Sequence, residues 1–247
     1  MIYTDNLKQV TTLDTYIGSG NPNSKILIVG KEVATDVEEG IHKELEQMNL
    51  EAYNNNCHSW RQNIEMQLTQ LDVPNWSFDS KENNPLYAFK GVEIKKEGHT
   101  WRKYQKLNNY IFEKNDNKAL NFQEDFFTTE MSILPSKTTG EAQRKEGFQE
   151  QLNLRKDTFF RSEFIQDFPV VILACGDYIS GQQICNIFNV HFTEERGTKR
   201  QNFWIHSNAN KTKLVVHTRQ LSADVSDELL RGIAEEIRIF LREQFPN

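Results

Sequence analysis

The chain has 247 residues, 37% of them hydrophobic and 26% charged, with 29 Lys and Arg against 35 Asp and Glu and a formal charge of −6. That length suits one large α/β domain with a sizeable core, so a single domain over 1–247 is expected, and the acidic balance excludes a protein that coats nucleic acid through overall charge while leaving room for a local basic face. Cys57, Cys175 and Cys185 have neither the paired spacing of a zinc site nor an even count for a disulfide framework, and neither a secretory leader nor a run of about 18 apolar residues is seen, so a soluble protein of the reducing cytoplasm without membrane contact is expected.

The first strand is the apolar run Ile26, Leu27, Ile28, Val29, which ends in Gly30, Lys31, Glu32 and so delivers a carboxylate to a loop. Over 36–50, Val37, Ile41, Leu45 and Met48 recur at helical spacing among acidic residues, predicting an exposed amphipathic helix. Loops at 54–56 and 73–84 bracket a helix around 60–71. From 100 to 113, Trp101, Tyr104, Leu107, Tyr110 and Ile111 recur at helical spacing while Arg102, Lys103 and Lys106 take other faces, which gives a helix with a basic side.

A strand over 126–134 stops at Pro135 and offers Thr128, Thr129 and Glu130 at a second strand-to-loop site, followed by a polar connection at 137–149. The stretch 151–168 reads as a helix, and Pro169 opens a strand at 170–174 that ends in Cys175, Gly176, Asp177 before a helix at 178–188. The pattern at 190–206 fits a hairpin or an irregular loop. Leu214, Val215 and Val216 form a last strand that runs into His217, Thr218, Arg219, Gln220, Leu221, Ser222. The final helix, 224–245, carries Leu229, Ile233, Ile237, Phe240 and Leu241 on one face, with Ser222, Asp224 or Ser226 as its cap. Apolar strands without alternation, separated by helices, predict a three-layer α/β/α sandwich around a central, mainly parallel, four-stranded sheet, with ligands at the carboxyl ends of the strands.

Two of these strand-end loops resemble the signature motifs of the uracil-DNA glycosylase superfamily, in which a Gly-x-Asp/Glu-Pro-like loop supplies an acid and a His-Pro-Ser-Pro-Leu-Ser-like loop supplies a histidine and a leucine. Here they read Gly30-Lys31-Glu32-Val33 and His217-Thr218-Arg219-Gln220-Leu221-Ser222, with Val33 in the place of the proline. The resemblance implies a uracil-DNA-glycosylase-like fold and a monomeric DNA glycosylase that flips a damaged or deaminated base, uracil or a related one, out of DNA and hydrolyses its N-glycosidic bond. It implies no metal and no organic cofactor. The iron–sulfur cluster of some branches needs four cysteine ligands, which three cysteines cannot supply.

By the same resemblance, Glu32 steers water and stabilises the oxocarbenium-like sugar, and His217 bonds the base carbonyl and stabilises the departing base. Leu221 fills the gap left by the flipped nucleotide, Ser222 and Arg219 meet phosphate, and Gly30 and Lys31 complete the acidic loop. Thr129 aligns with the family's base-reading asparagine but cannot make the paired donor and acceptor contact of an amide. Trp60 and Tyr53 lie in the part of the chain where the family places a base-stacking aromatic.

Each residue also has a structural reading. Glu32 and Ser222 can cap helices, His217 can satisfy a loop carbonyl, Thr129 can be an ordinary strand residue, and Leu221, Tyr53 and Trp60 can be core. A nucleic-acid surface is expected from Lys95, Lys96, His99, Arg102, Lys103 and Lys106 among Trp101 and Tyr104, extended by Arg144, Lys145, Arg155, Lys156, Arg196, Lys199 and Arg200. Such a run can equally be a solvated face.

Two alternatives stand beside the glycosylase. One is a non-catalytic nucleic-acid or base-binding relative. The other is a hydrolase or transferase on a small molecule, for which no Gly-x-x-x-x-Gly-Lys loop, Gly-x-Ser-x-Gly turn or Gly-x-Gly-x-x-Gly fingerprint is present.

Overall fold

Short runs of branched apolar residues, buried on both faces, build the centre of the sheet. The computed structural model describes residues 3–34, 43–76, 83–94, 99–115, 118–198, 201–222 and 224–246. Its strands are β1 (Ser19–Gly20), β2 (Ile26–Gly30), β3 (Phe126–Glu130), β4 (Val170–Leu173), β5 (His191–Gly197), β6 (Asn202–Ser207) and β7 (Leu214–Thr218). They form one seven-stranded sheet in the order β1-β3-β2-β4-β7-β6-β5. Strands β3, β2, β4 and β7 are mutually parallel, whereas β1, β6 and β5 join antiparallel to their neighbours. The sheet is thus wider than the four strands the sequence predicts. Two of the additional strands, β5 and β6, are the hairpin that the pattern at 190–206 offers as one of its two readings, here joined to the sheet through β7, whereas β1 has only two residues and carries no apolar run.

Helices cover both faces. Leu27, Val29, Phe127, Val171, Leu173 and Val215 point to one side. There they pack on residues of α1 (Asp5–Val10), α3 (Asn56–Glu65), α6 (Phe148–Asp157), α7 (Glu163–Gln166) and α8 (Gly181–Phe188). Ile26, Ile28, Phe126, Val170, Ile172 and Val216 point to the other, onto α4 (His99–Phe112) and α9 (Asp227–Gln244). Two further helices, α2 (Lys43–Asn54) and α5 (Thr139–Arg144), lie between β2 and α3 and between β3 and α6 in sequence, and Ala142 of α5 joins the first of these cores. Among the described residues no helix is long and apolar enough to cross a membrane.

The local chemistry explains most boundaries. Helix α9 begins where the Ser226 side chain accepts from the Leu229 N–H, with Asp227 and Glu228 in its first turn where the helix dipole favours anions. The cap is therefore Ser226; Ser222 and Asp224 lie ahead of it. Helix α8 starts at Gly181, three residues after the expected position, because Gly176–Tyr178 forms a 3₁₀ turn and Ser180 with Gln183 makes a capping box.

Three expectations change. The stretch 151–168 is two helices, broken at 158–162 so that Phe159 and Phe160 both enter the core. The expected loop at 54–56 is the junction of α2 and α3, where Asn56 accepts from the N–H groups of Ile17 and Gly18 and donates to the Gly18 carbonyl. The expected polar connection after β3 contains α5. Most of the first half of the helix expected at 36–50, and Lys95, Lys96, Lys199 and Arg200, lie outside the described residues.

Candidate active site

Register places the strand-end residues side by side. Thr129, Val29, Leu173 and His217 form one row across the four parallel strands, and Glu130 pairs with Gly30 one step further out. The loop after β2 is then fixed by backbone bonds from Met131 to Gly30 at 2.9 Å, Ser132 to Lys31 at 2.7 Å and Ser136 to Val33 at 3.1 Å. This continues the parallel pairing past the strand and holds Glu32 on the carboxyl edge.

Glu32 is 8% exposed. Its two oxygens accept from different elements: Thr139 at the start of α5 donates to Oε1 at 2.9 Å, and the Tyr178 hydroxyl donates to Oε2 at 2.5 Å. Burial and the adjacent Glu32 charge push the Tyr178 phenol up, so it stays a donor. Lys31 turns away toward Asp177 at 2.8 Å, with its ammonium 4.8 Å from the Tyr178 ring centroid. The Lys31 hydrogen bond holds the Asp177 carboxyl below its ordinary value.

The 176–178 turn also reaches the histidine. His217 Nε2 lies 2.8 Å from the Gly176 carbonyl oxygen. A carbonyl only accepts, so the proton of the neutral ring sits on Nε2 and Nδ1 is left as an acceptor. Burial pushes the imidazole down, which favours that neutral form. The resemblance gives His217 a donor's part toward a base carbonyl; this geometry gives it an acceptor's part toward a ring N–H. Trp204 of β6, paired with His217 in the sheet register, sets its ring 5.3 Å away at 36°.

On the other flank stands Glu130. A Cβ added to Gly30 would lie 2.1 Å from Glu130 Oε2, so the absence of a side chain at Gly30 makes the room this carboxyl occupies. Burial first, then the negative charge of Glu32, push Glu130 up to about 8, against the pull of Arg155. Arg155 is 3% exposed and donates to the Glu130 backbone carbonyl at 2.9 Å, Thr15 Oγ1 at 3.1 Å and Thr129 Oγ1 at 3.0 Å. Its guanidinium lies 3.9 Å from the Phe159 ring centroid, and burial lowers it to about 10. Tyr16 and Tyr53 stack beside this group at 4.1 Å, and the buried Tyr53 hydroxyl has no hydrogen-bond partner among the described residues.

Several expected contacts take other roles. Leu221 is 0% exposed and packs among Val216, Val225 and Leu229, so it anchors the loop in the core and does not project as a wedge. Trp60 is 0% exposed and its indole N–H donates to the Gly18 carbonyl at 2.9 Å, which leaves no face for a base; Tyr53 is covered by Tyr16. Thr129 is 1% exposed with its hydroxyl held by Arg155. Ser222 is half-buried in the turn before α9, and Arg219 is exposed next to it.

The basic side of α4 is largely spent on α9. Lys103 donates to the Val225 carbonyl in the turn before α9 and Lys106 pairs with Asp227 in the first turn of that helix, while Arg102 is half-buried. Arg155 and Lys156 are buried, and Arg196 is ion-paired with Glu194 and Glu236. Of the expected basic residues, Arg144, Lys145 and Arg219 are exposed, with Lys145 donating to the Pro135 carbonyl.

The sequence pointed to Glu32 and His217 but not to Tyr178, Thr139 or Trp204 as their partners, nor to Arg155 as the buried support of Thr129 and of the Glu130 backbone. Hydroxyls in turns carry no periodic signal, and an arginine at a buried helix position is written like a solvated one. Among the described residues no three or more His, Cys, Asp or Glu side chains are placed to hold a metal ion. Comparison with known families, with curated proteins and with solved structures finds no match in any of the three.

Proposed function

We propose that the chain hydrolyses an N-glycosidic bond at the carboxyl edge of its parallel strands, as a uracil-DNA-glycosylase-like protein acting on a deaminated or damaged base in DNA. One observation carries the reading: Glu32 and His217, from opposite ends of the chain, meet through a single turn, Glu32 by the Tyr178 hydroxyl and His217 by the Gly176 carbonyl. The central order of parallel strands, β3-β2-β4-β7, agrees with the four-stranded parallel sheet that the resemblance implies. A carboxylate fixed by two hydroxyls suits the stabilisation of a sugar cation and the orientation of water. A neutral histidine with a free acceptor nitrogen suits a base that presents a ring N–H.

The test is incubation of the purified chain with labelled oligonucleotides that carry uracil, hypoxanthine or xanthine, single-stranded and mispaired, with alkali-sensitive abasic sites as the readout. Excision that falls by about 10²-fold or more in Glu32→Gln supports the reading. Full activity in both Glu32→Gln and His217→Ala overturns it.

A second reading, a nucleic-acid-binding relative without catalysis, is favoured by Leu221 and Thr129, the two family contacts to DNA that this chain turns inward. It predicts salt-sensitive DNA binding with no abasic product.

A further inference from the structure

We propose that Glu130 is a second carboxyl group of this site, holding a proton beside the Glu32 carboxylate and giving it to the departing base. The proposal rests on the N-glycosidic reading above and adds to it the acid that the resemblance does not supply. Three features of geometry argue for it. Glu130 is the last residue of β3 and pairs in register with Gly30, two residues before Glu32, so two carboxyl groups converge on adjacent strand ends. The space above Gly30 holds the Glu130 carboxyl itself, 2.1 Å from where a Cβ would stand. And among the described residues no side chain donates to the Glu130 carboxyl, whereas Glu32 receives two hydroxyls.

The surroundings divide the two groups accordingly. Around Glu130 stand Glu32, Arg155, Tyr16, Tyr53, Tyr104 and Cys175. Arg155 is the one cation among them. Its three hydrogen bonds go to the Glu130 backbone carbonyl and the Thr15 and Thr129 hydroxyls, not to the Glu130 carboxyl. Glu130 lies in a setting that disfavours its charge and feels the charge of Glu32, and of two such coupled carboxyls the one without donors keeps the proton. Glu130 nevertheless retains partial exposure, so a substrate can reach it.

The proton count closes. The bond from C1′ to the base nitrogen breaks and its electron pair leaves with the base. The Glu130 proton neutralises that base. Water adds to C1′ and gives its proton to Glu32, and transfer from Glu32 to Glu130 restores the starting pair.

The experiment has two arms. In the full chain with ¹³C-labelled glutamate carboxyls, one resonance titrates near 8 as the geometry and burial require, is lost in Glu130→Gln, and moves to lower pH in Glu32→Gln. In the uracil-oligonucleotide assay, wild-type excision falls as pH rises through that value, while Glu130→Gln is slower by about 10²-fold and has lost the alkaline limb. Glu130→Gln keeps the side-chain volume and removes a costly charge, so it retains the fold; Glu130→Asp, which withdraws the carboxyl from Gly30, is intermediate. If every glutamate titrates in the ordinary carboxylate range, or if Glu130→Gln excises base at the wild-type rate with the alkaline limb intact, the proposal is overturned. If the wild type excises nothing, the N-glycosidic reading fails and the role as acid falls with it, whatever the titration shows.

Discussion

The two ends of the carboxyl edge are built on different terms. At the β2–β3 end, charged groups are withdrawn from solvent: Glu32, held by α5 and the 176–178 turn, and Arg155 are buried, Glu130 is partly buried, and the loop that carries Glu32 is pinned by three backbone bonds. At the β7–β6 end, His217 and Trp204 are partly open and the sheet runs out into an exposed hairpin. Burial at the first end perturbs protonation and fixes position, while the second keeps aromatic and acceptor surface available. Under the proposed function, the former end carries the two carboxyls of the reaction and the latter the surface for recognition.

The largest effect that would break this contrast is expected from Arg155→Met. It strips three hydrogen bonds from the buried end and leaves Thr129, Thr15 and the Glu130 carbonyl without their donor, at about 3–5 kcal/mol in urea unfolding. Next comes Gly30→Ala, whose new methyl lies 2.1 Å from Glu130 Oε2; displacement of that carboxyl costs about 1–3 kcal/mol and lowers its titration point in carboxyl NMR.

Smaller and dependent on pH is Glu130→Gln. A carboxyl raised from 4.5 to about 8 holds its proton more tightly in the folded chain than in the unfolded one. Its contribution is full below 4.5 and is lost as pH rises through about 8, so wild-type thermal stability falls across that window and the variant's does not. With the solvent that still reaches this group discounted, the gap at pH 8 is on the order of 1–2 kcal/mol. Last, Lys106→Ala breaks a half-exposed pair with Asp227 and changes stability by roughly 0–1 kcal/mol, and DNA affinity stays unchanged because that lysine serves α9. A large loss of DNA binding in Lys106→Ala would move the recognition surface from the hairpin end to α4.

What the sequence disclosed follows from what periodicity can encode. Ile26–Gly30, Val170–Leu173 and Leu214–Thr218 are buried on both faces and so stand out as unbroken apolar runs. The 18-residue α9 repeats its apolar face over several turns. Glu32 and His217 stood out because His217 directly follows Val216 and Glu32 comes two residues after Gly30, each at the end of such a run. Leu221 stayed between two readings because an apolar residue in a loop is written identically whether it faces solvent, a ligand or, as here, the core. Phe159 and Phe160 continue a helical pattern across a real break, since the chain bends to bury both rings. Glu130 was visible as a strand-end residue, but its protonation depends on Gly30 and Glu32 lying alongside, a fact of register between strands about a hundred residues apart that no local pattern carries.

The margins of the sheet have a consequence for how copies of this molecule meet one another. An open strand offers a free row of backbone donors and acceptors to any passing chain. Here one margin, β1, is two residues long, preceded by Gly18 and ending in Gly20, both at positive φ. The other, β5, carries a register shift between Phe192 and Glu194 and then Glu194, Glu195 and Arg196 in sequence. The irregularity twists the ladder and the charges keep it hydrated, so self-assembly by strand addition is blocked at both sides, by brevity at one and by kink and charge at the other.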